Sequence, residues 1–114
     1  MVKITNVKFG EIEVDKKIYY SDMIIWWDGK VEFREKSHVF DISDFVKLLE
    51  RDPEIIVIGT GMDIEACDVP EEVEEKAEDK GIRIYKELSP KAAEMFNGFV
   101  ADKKRVVAVI HATC

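Results

Sequence analysis

The chain has 114 residues, the size of one domain, with 46% apolar and 36% charged residues and a net charge of −7 at pH 7. This composition excludes a disordered segment, and no run reaches the roughly 18 apolar residues of a membrane span. The longest basic cluster is Lys103-Lys104-Arg105, so the positive footprint that displaces counterions from phosphate is missing, which argues against nucleic acid and anionic membranes as partners.

The first third reads as strands. Val2 to Phe9 mixes β-branched and polar residues before Gly10, and Glu11 to Val14 alternates. Ile18 to Trp27 is the strongest strand, and Asp28-Gly29 behind it is a two-residue hairpin signal. The return strand alternates, with Val31 and Phe33 expected inward and Lys30, Glu32 and Arg34 outward. Residues 1–35 are therefore expected to form an antiparallel meander with one wet face.

The period then changes. Asp41 can cap a helix through Ser43 and Asp44, with Phe40 and Phe45 at staple spacing. Phe45, Val46, Leu48 and Leu49 make its stripe, and Pro53 stops it. Ile55-Ile56-Val57-Ile58 is apolar at every position, the pattern of a strand covered on both faces, and Gly59-Thr60-Gly61 ends it. Pro70-Glu71-Glu72 opens an acidic helix that Gly81 terminates. Ile82 to Tyr85 is a strand, Ser89-Pro90 starts a third helix with serine as its cap, and Arg105 to His111 is a last apolar strand. The order is four β elements, then α-β-α-β-α-β: an α/β chain in which an antiparallel β meander or hairpin layer (1–35) leads into a three-layer α/β half (36–114). The whole, 1–114, is expected to be a single domain.

Several of these segments together resemble a known family. They are Tyr20-Ser21-Asp22 before a strand ending in Asp28-Gly29, and Pro53-Glu54 leading through Ile55 to Gly59-Thr60-Gly61. Gly81-Ile82, Ala92-Ala93 with Phe96-Asn97, Lys104-Arg105-Val106-Val107-Ala108 and His111-Ala112-Thr113-Cys114 complete the set. The chain resembles, over essentially its whole length, the uncharacterised family that includes the adipogenesis-associated domain-containing protein and mitochondrial complex I assembly factor three. The resemblance implies a three-layer α/β fold with a central mixed sheet and implies no reaction. Many members carry a glycine and two arginines where this chain has Lys103-Lys104-Arg105, so the loop before the last strand is expected to differ in shape.

Gly59, Thr60 and Gly61 follow a buried strand, where α/β sheets collect ligands, and free amides there suit an anion. The plain alternative is a tight turn, since Ile64 stands where a dinucleotide fingerprint needs glycine and no phosphate-loop lysine follows. Asn97 and Gly98 interrupt a helix stripe. Gly98 suggests close packing or close approach, and Asn97 either reaches a ligand or satisfies a neighbouring backbone, the second being favoured. Arg105 falls near Gly59-Thr60-Gly61 if the last strand runs antiparallel to its neighbours, and would then complete an anion pocket; the alternative is a surface ion pair. His38, Cys67, His111 and Cys114 are soft ligands without metal-site spacing, so no metal and no cofactor is expected. Trp26 and Trp27, adjacent on a strand, should point to opposite faces, one into the core and the other, with Tyr19 or Tyr20, onto a partner surface; the alternative is that helices or loops cover both faces. The run Glu71 to Glu78 is a solvated helix face.

No nucleophile elbow, nucleotide fingerprint or metal motif appears. The favoured reading is a non-catalytic binding or assembly module acting on an unknown protein partner or on itself. The alternative is a small anionic-ligand-binding protein or enzyme with a cleft at Gly59-Thr60-Gly61. Two cysteines and an N-terminus without an apolar leader point to the cytoplasm with thiols reduced. The charge-rich surface fits growth at high temperature.

Overall fold

Short alternating segments at the N-terminus build a small sheet of their own. In a computed structural model that describes residues 1–113, β1 (Ile4–Lys8), β2 (Glu11–Val14) and β3 (Lys17–Tyr19) pair antiparallel in sequence order. Ile4, Ile12 and Val14 turn inward, and the facing positions are wet. Asp15 and Lys16, at φ 49° and 73°, form the turn between β2 and β3.

The long strand expected over Ile18–Trp27 is broken. Tyr20, Ser21 and Asp22 carry the chain from the small sheet to a second one, because the buried Asp22 spends its carboxylate on distant partners instead of continuing an apolar row. The meander therefore ends at Tyr19. β4 (Met23–Trp26) and β5 (Val31–Phe33) form a hairpin that belongs to the larger sheet. Its turn holds three residues rather than two. Trp26 N–H donates to Lys30 O, Gly29 N–H donates to Trp26 O, and Gly29 takes φ 97°, the three-residue loop that needs glycine at its left-handed position.

The return strand also departs from its pattern. Phe33 is 74% exposed and Arg34 is buried. β5 is a three-residue edge strand, so Phe33 overhangs the core. The Arg34 guanidinium donates to Val39 O at 2.9 Å and Ser37 O at 3.4 Å, closing the loop that follows.

The larger sheet runs β5-β4-β8-β6-β7, with β6 (Ile55–Gly59), β7 (Arg83–Glu87) and β8 (Val106–Ile110). β6 is parallel to β7 and β8, and β8 is antiparallel to β4, so the sheet is mixed. Every residue of β6 and β8 is buried, as expected for strands covered on both faces.

α1 (Ile42–Leu49) and α2 (Glu71–Asp79) lie on one face. Phe45, Leu48, Val73 and Ala77 pack there on Trp26, Ile56, Ile58, Val107 and Val109. α3 (Ser89–Ala101) shares the other face with the three-stranded sheet, packing Ala92, Ala93, Phe96 and Val100 on Ile55, Val57, Val106, Ala108 and Ile110. The result is the three-layer α/β arrangement around a central mixed sheet, with an antiparallel β layer at the N-terminus.

Local signals account for the helix ends. Asp41 caps α1 in a full capping box, accepting from Asp44 N–H while the Asp44 carboxylate accepts from Asp41 N–H, each at 3.0 Å. These donors and the Ser43 hydroxyl hold the Asp41 carboxyl below its ordinary pKa, the Ser43 bond contributing most. Ser89 does not cap α3. It is the first helical residue, and its hydroxyl donates at 2.6 Å to His111 O. Lys103 sits at φ 61° before β8, a left-handed position that glycine adopts at lower cost. No helix among the described residues is long and apolar enough to cross a membrane.

Candidate functional site

The buried polar and charged side chains among the described residues are Asp22, Arg34, Thr60, Ser89 and His111, and all flank one end of the central sheet. Asp22 precedes β4, Arg34 follows β5, and Thr60, Ser89 and His111 lie just beyond β6, β7 and β8. This is the carboxyl end of the parallel strands, where α/β sheets carry their sites.

Asp22 and His111 form its centre. Asp22 Oδ2 lies 2.7 Å from His111 Nδ1, and Oδ1 accepts Ala112 N–H at 2.9 Å. A carboxylate only accepts, so Nδ1 carries the proton and Nε2 faces outward from the pair. Nε2 is buried without a hydrogen-bond partner, as is Thr113 Oγ1 two residues on. The His38 ring meets the His111 ring edge to face at 5.1 Å. Burial, above all, pushes the Cys67 thiol up from its usual pKa, with Asp22, Asp44 and Asp68 adding to the shift against Arg34. A protonated, enclosed thiol is inert as a nucleophile at neutral pH. The described residues contain no group of three or more side chains placed to hold a metal, and Cys114 lies outside them.

Gly59, Thr60 and Gly61 are at this end, and each has a structural task. A Cβ on Gly59 would stand 2.8 Å from Ser89 Oγ, 3.0 Å from Ser89 Cα and 3.1 Å from Ile110 Cδ1. Glycine thus lets the start of α3 dock on the sheet. Thr60 N–H and Oγ1 both donate to Glu87 O, and Gly61 O accepts Ser89 N–H at 2.7 Å. A cavity of about 220 Å³ beside them is bordered by Thr60, Glu65, Cys67, Asp68, Val69 and Lys86. Its one cation, Lys86, pairs with Glu74 at 3.1 Å.

The other expected members of that cleft lie elsewhere. β8 runs parallel to β6, so Arg105 sits at the amino end, roughly 15 Å along the strands from Gly59. The antiparallel arrangement that would bring Arg105 to the glycines holds only toward β4. Arg105 donates from Nε to Asp52 O at 2.9 Å and faces the carboxylates of Asp52 and Glu54, both at 3.8 Å. Asn97 is on the face of α3 that meets β1, where its amide accepts Ile4 N–H and donates to Ile4 O, each at 2.8 Å. A Cβ on Gly98 would meet nothing within 4 Å, so packing does not require that glycine.

The aromatic candidates divide. Trp26 is 2% exposed, and Trp27 is half-buried against both cores. The Arg51 guanidinium covers both indoles, 4.6 Å from Trp26 and 5.2 Å from Trp27. Its ion pair with Asp28 holds that carboxyl below its usual pKa. The chain itself therefore occupies the tryptophan surface. Tyr20 instead is 73% exposed, and Tyr19 meets the exposed Phe33 edge to face at 6.2 Å. Phe33, Asp22 and Ser89 are not singled out by the sequence as candidates for this region, and His111 only as a soft ligand. The available signals were a polar residue abutting each end of an apolar strand and an aromatic in a very short one.

The chain matches, over residues 4–111, the model of a family described as protein of unknown function (DUF498/DUF598). It is similar to a conserved hypothetical protein of Pyrococcus horikoshii, at 27% identity over 98% of this chain and 99% of that one, with a TM-score of 0.86. It is also similar to a protein named MT938, at 26% identity over the whole of both chains and a TM-score of 0.82. It shares its fold with a protein described as an outer membrane protein of Bartonella henselae (21% identity, 99% and 96% covered, TM-score 0.82).

Two substitutions test these placements. Gly59→Ala should lower stability by about 1–3 kcal/mol in denaturant unfolding, because Ser89 backbone cannot yield as a flexible side chain would; an unchanged midpoint would remove the docking role. Asp22→Ala strands His111 Nδ1–H and Ala112 N–H in the interior and should cost about 3–5 kcal/mol. Asp22→Asn, which keeps one acceptor, should cost less, and the reverse order would contradict the assigned proton.

Proposed function

This chain belongs to the DUF498/DUF598 family of proteins of unknown function, and within it we propose that it is a cytoplasmic, single-domain, non-catalytic binding module whose working surface is formed by Tyr19, Tyr20 and Phe33. One observation carries this reading: two aromatic side chains about three-quarters exposed stand at the open edges of both sheets. β3 ends the small sheet and β5 ends the large one, and the Tyr19–Phe33 contact brings the two edges together. Lys17, 5.4 Å above the Tyr19 ring, supplies a polar rim. An apolar patch beside unpaired strand edges is the kind of surface that another protein segment covers.

An anion-binding cleft at Gly59-Thr60-Gly61 has less support. Arg105 is at the far end of the strands, and the cavity there sets Glu65 and Asp68 against a lysine already paired with Glu74. In a thermal-shift screen, inorganic phosphate and nucleotides at millimolar concentration should leave the unfolding midpoint unchanged. Saturation at a hundred times Kd would raise stability by about 2.7 kcal/mol, so a rise of several degrees would restore the cleft.

The binding reading is tested by immobilising wild type and a Tyr20→Ser/Phe33→Ser variant and comparing what each retains from a host extract, the purified chain itself included. The variant should unfold at the wild-type midpoint, because both side chains are exposed, and should lose the retained protein. Equal recoveries would sink the proposal.

A further inference from the structure

We infer that Asn97 is a site of spontaneous covalent modification, deamidation to isoaspartate or aspartate, and that the docking of β1 on α3 keeps it closed.

The chemistry follows from the pair Asn97-Gly98. The peptide nitrogen that follows an asparagine can attack the side-chain amide carbon. A C–N bond closes a cyclic imide, the amide nitrogen leaves as ammonia, and the peptide N–H proton passes to a base in solvent. Water then opens the imide at either carbonyl, giving aspartate or isoaspartate, the second with an extra methylene in the backbone. The net change consumes one water and releases one ammonia. Glycine, lacking a Cβ, crowds that attack least. The chain's other asparagine, Asn6, precedes Val7, whose branched Cβ crowds it. Solvent reaches the Asn97-Gly98 pair. Gly98 is exposed, a Cβ there would meet nothing within 4 Å, and both residues border a surface groove of about 450 Å³ with Met1, Val2 and Lys3.

The native geometry blocks the first step twice. Within α3 the Gly98 N–H belongs to the helical ladder, and the helical ψ of about −42° holds its nitrogen away from the ring-closing position. Asn97 Oδ1 accepts Ile4 N–H and Nδ2 donates to Ile4 O, each at 2.8 Å, so the amide cannot turn toward Gly98. β1 is an outer strand of its sheet, and the Asn97 amide satisfies the Ile4 peptide groups there as a neighbouring strand would. The pair also lies near the C-terminal end of α3, where a helix frays once its packing is lost. Departure of β1 therefore frees the amide and loosens the last turns together. The coupling runs both ways. A carboxylate at position 97 still accepts Ile4 N–H but sets a second acceptor against Ile4 O, which weakens the hold on β1.

Incubation of the full chain at mildly alkaline pH, with peptide mapping of amide-to-acid conversion, tests the inference. Unfolded in urea, wild type should convert at Asn97 well ahead of Asn6, and Gly98→Ala should slow conversion at Asn97 several-fold. Gly98→Ala should itself fold with a midpoint at or above that of wild type, since glycine is unfavourable inside a helix and the added Cβ meets nothing. Folded wild type should convert at Asn97 far more slowly than unfolded. Ile4→Ala thins the packing of β1 without removing the Ile4 backbone groups, and should speed conversion in the folded chain at least about fivefold as local opening becomes more populated. If Ile4→Ala does not fold, wild type in urea below its unfolding transition takes its place, and conversion should rise ahead of that transition. Unfolded wild type that converts no faster than Gly98→Ala would overturn the site. Folded wild type that converts as fast as unfolded, a folded Ile4→Ala no faster than wild type, or a rate that rises only with global unfolding would overturn the gate. Asn97→Asp should speed hydrogen exchange across β1, and protection equal to wild type would overturn the return coupling.

Discussion

The structure depends on the pairing of β8 between β4 and β6. The last strand in the sequence is the third in the sheet, antiparallel to the N-terminal hairpin and parallel to the α/β half. All five of its residues are buried, and side chains on its two faces enter different cores. Full burial of each valine or isoleucine stabilises by roughly 1.5–3 kcal/mol, so this strand contributes heavily to both cores at once. Its direction also sorts the polar residues at its ends. Arg105 goes to the end with Asp52 and Glu54, and His111 goes to the end with Asp22 and Ser89.

That sorting explains why the carboxyl end of the sheet is polar yet nearly closed. Strand ends leave peptide groups without ladder partners, and an unpaired buried group costs about as much as a lost hydrogen bond. Asp22 takes up Ala112 N–H, Ser89 takes up His111 O, and Thr60 takes up Glu87 O. Features that suggest ligand chemistry in isolation, such as a glycine pair, a serine at a helix start and a buried Asp–His pair, here seam four strands to one another. His111 Nε2 and Thr113 Oγ1 are the buried side-chain atoms among the described residues that this network leaves over.

The two aromatic regions show how coverage separates a core from a surface. Trp26 and Trp27 are roofed by Arg51, itself fastened to Asp28 in the adjoining turn. Tyr20 and Phe33 have no such roof: each is about three-quarters exposed, beside the edge strands β3 and β5. The opposite edge, β7, carries Arg83, Lys86 and Glu87, the charged kind of edge that discourages pairing.

Local chemistry in the sequence determined most of the elements and their ends. The Asp41 capping box, the all-apolar Ile55–Ile58 run, Gly81 behind the acidic helix and the hairpin at Asp28-Gly29 each follow from interactions within a few residues. Such short-range preferences are properties of the chain wherever it lies. Tertiary structure alone decided which strand lies beside which and in what direction. That choice placed Arg105 far from Gly59, moved β4 and β5 out of the meander, and brought Asp22 to His111 across 89 positions of sequence. It also turned Phe33 outward and Arg34 inward against a clean alternation, because a period of two shows that a strand has two faces but not whether anything covers them. A strand's neighbours are set by the joint burial of distant segments, and no window of sequence contains that sum.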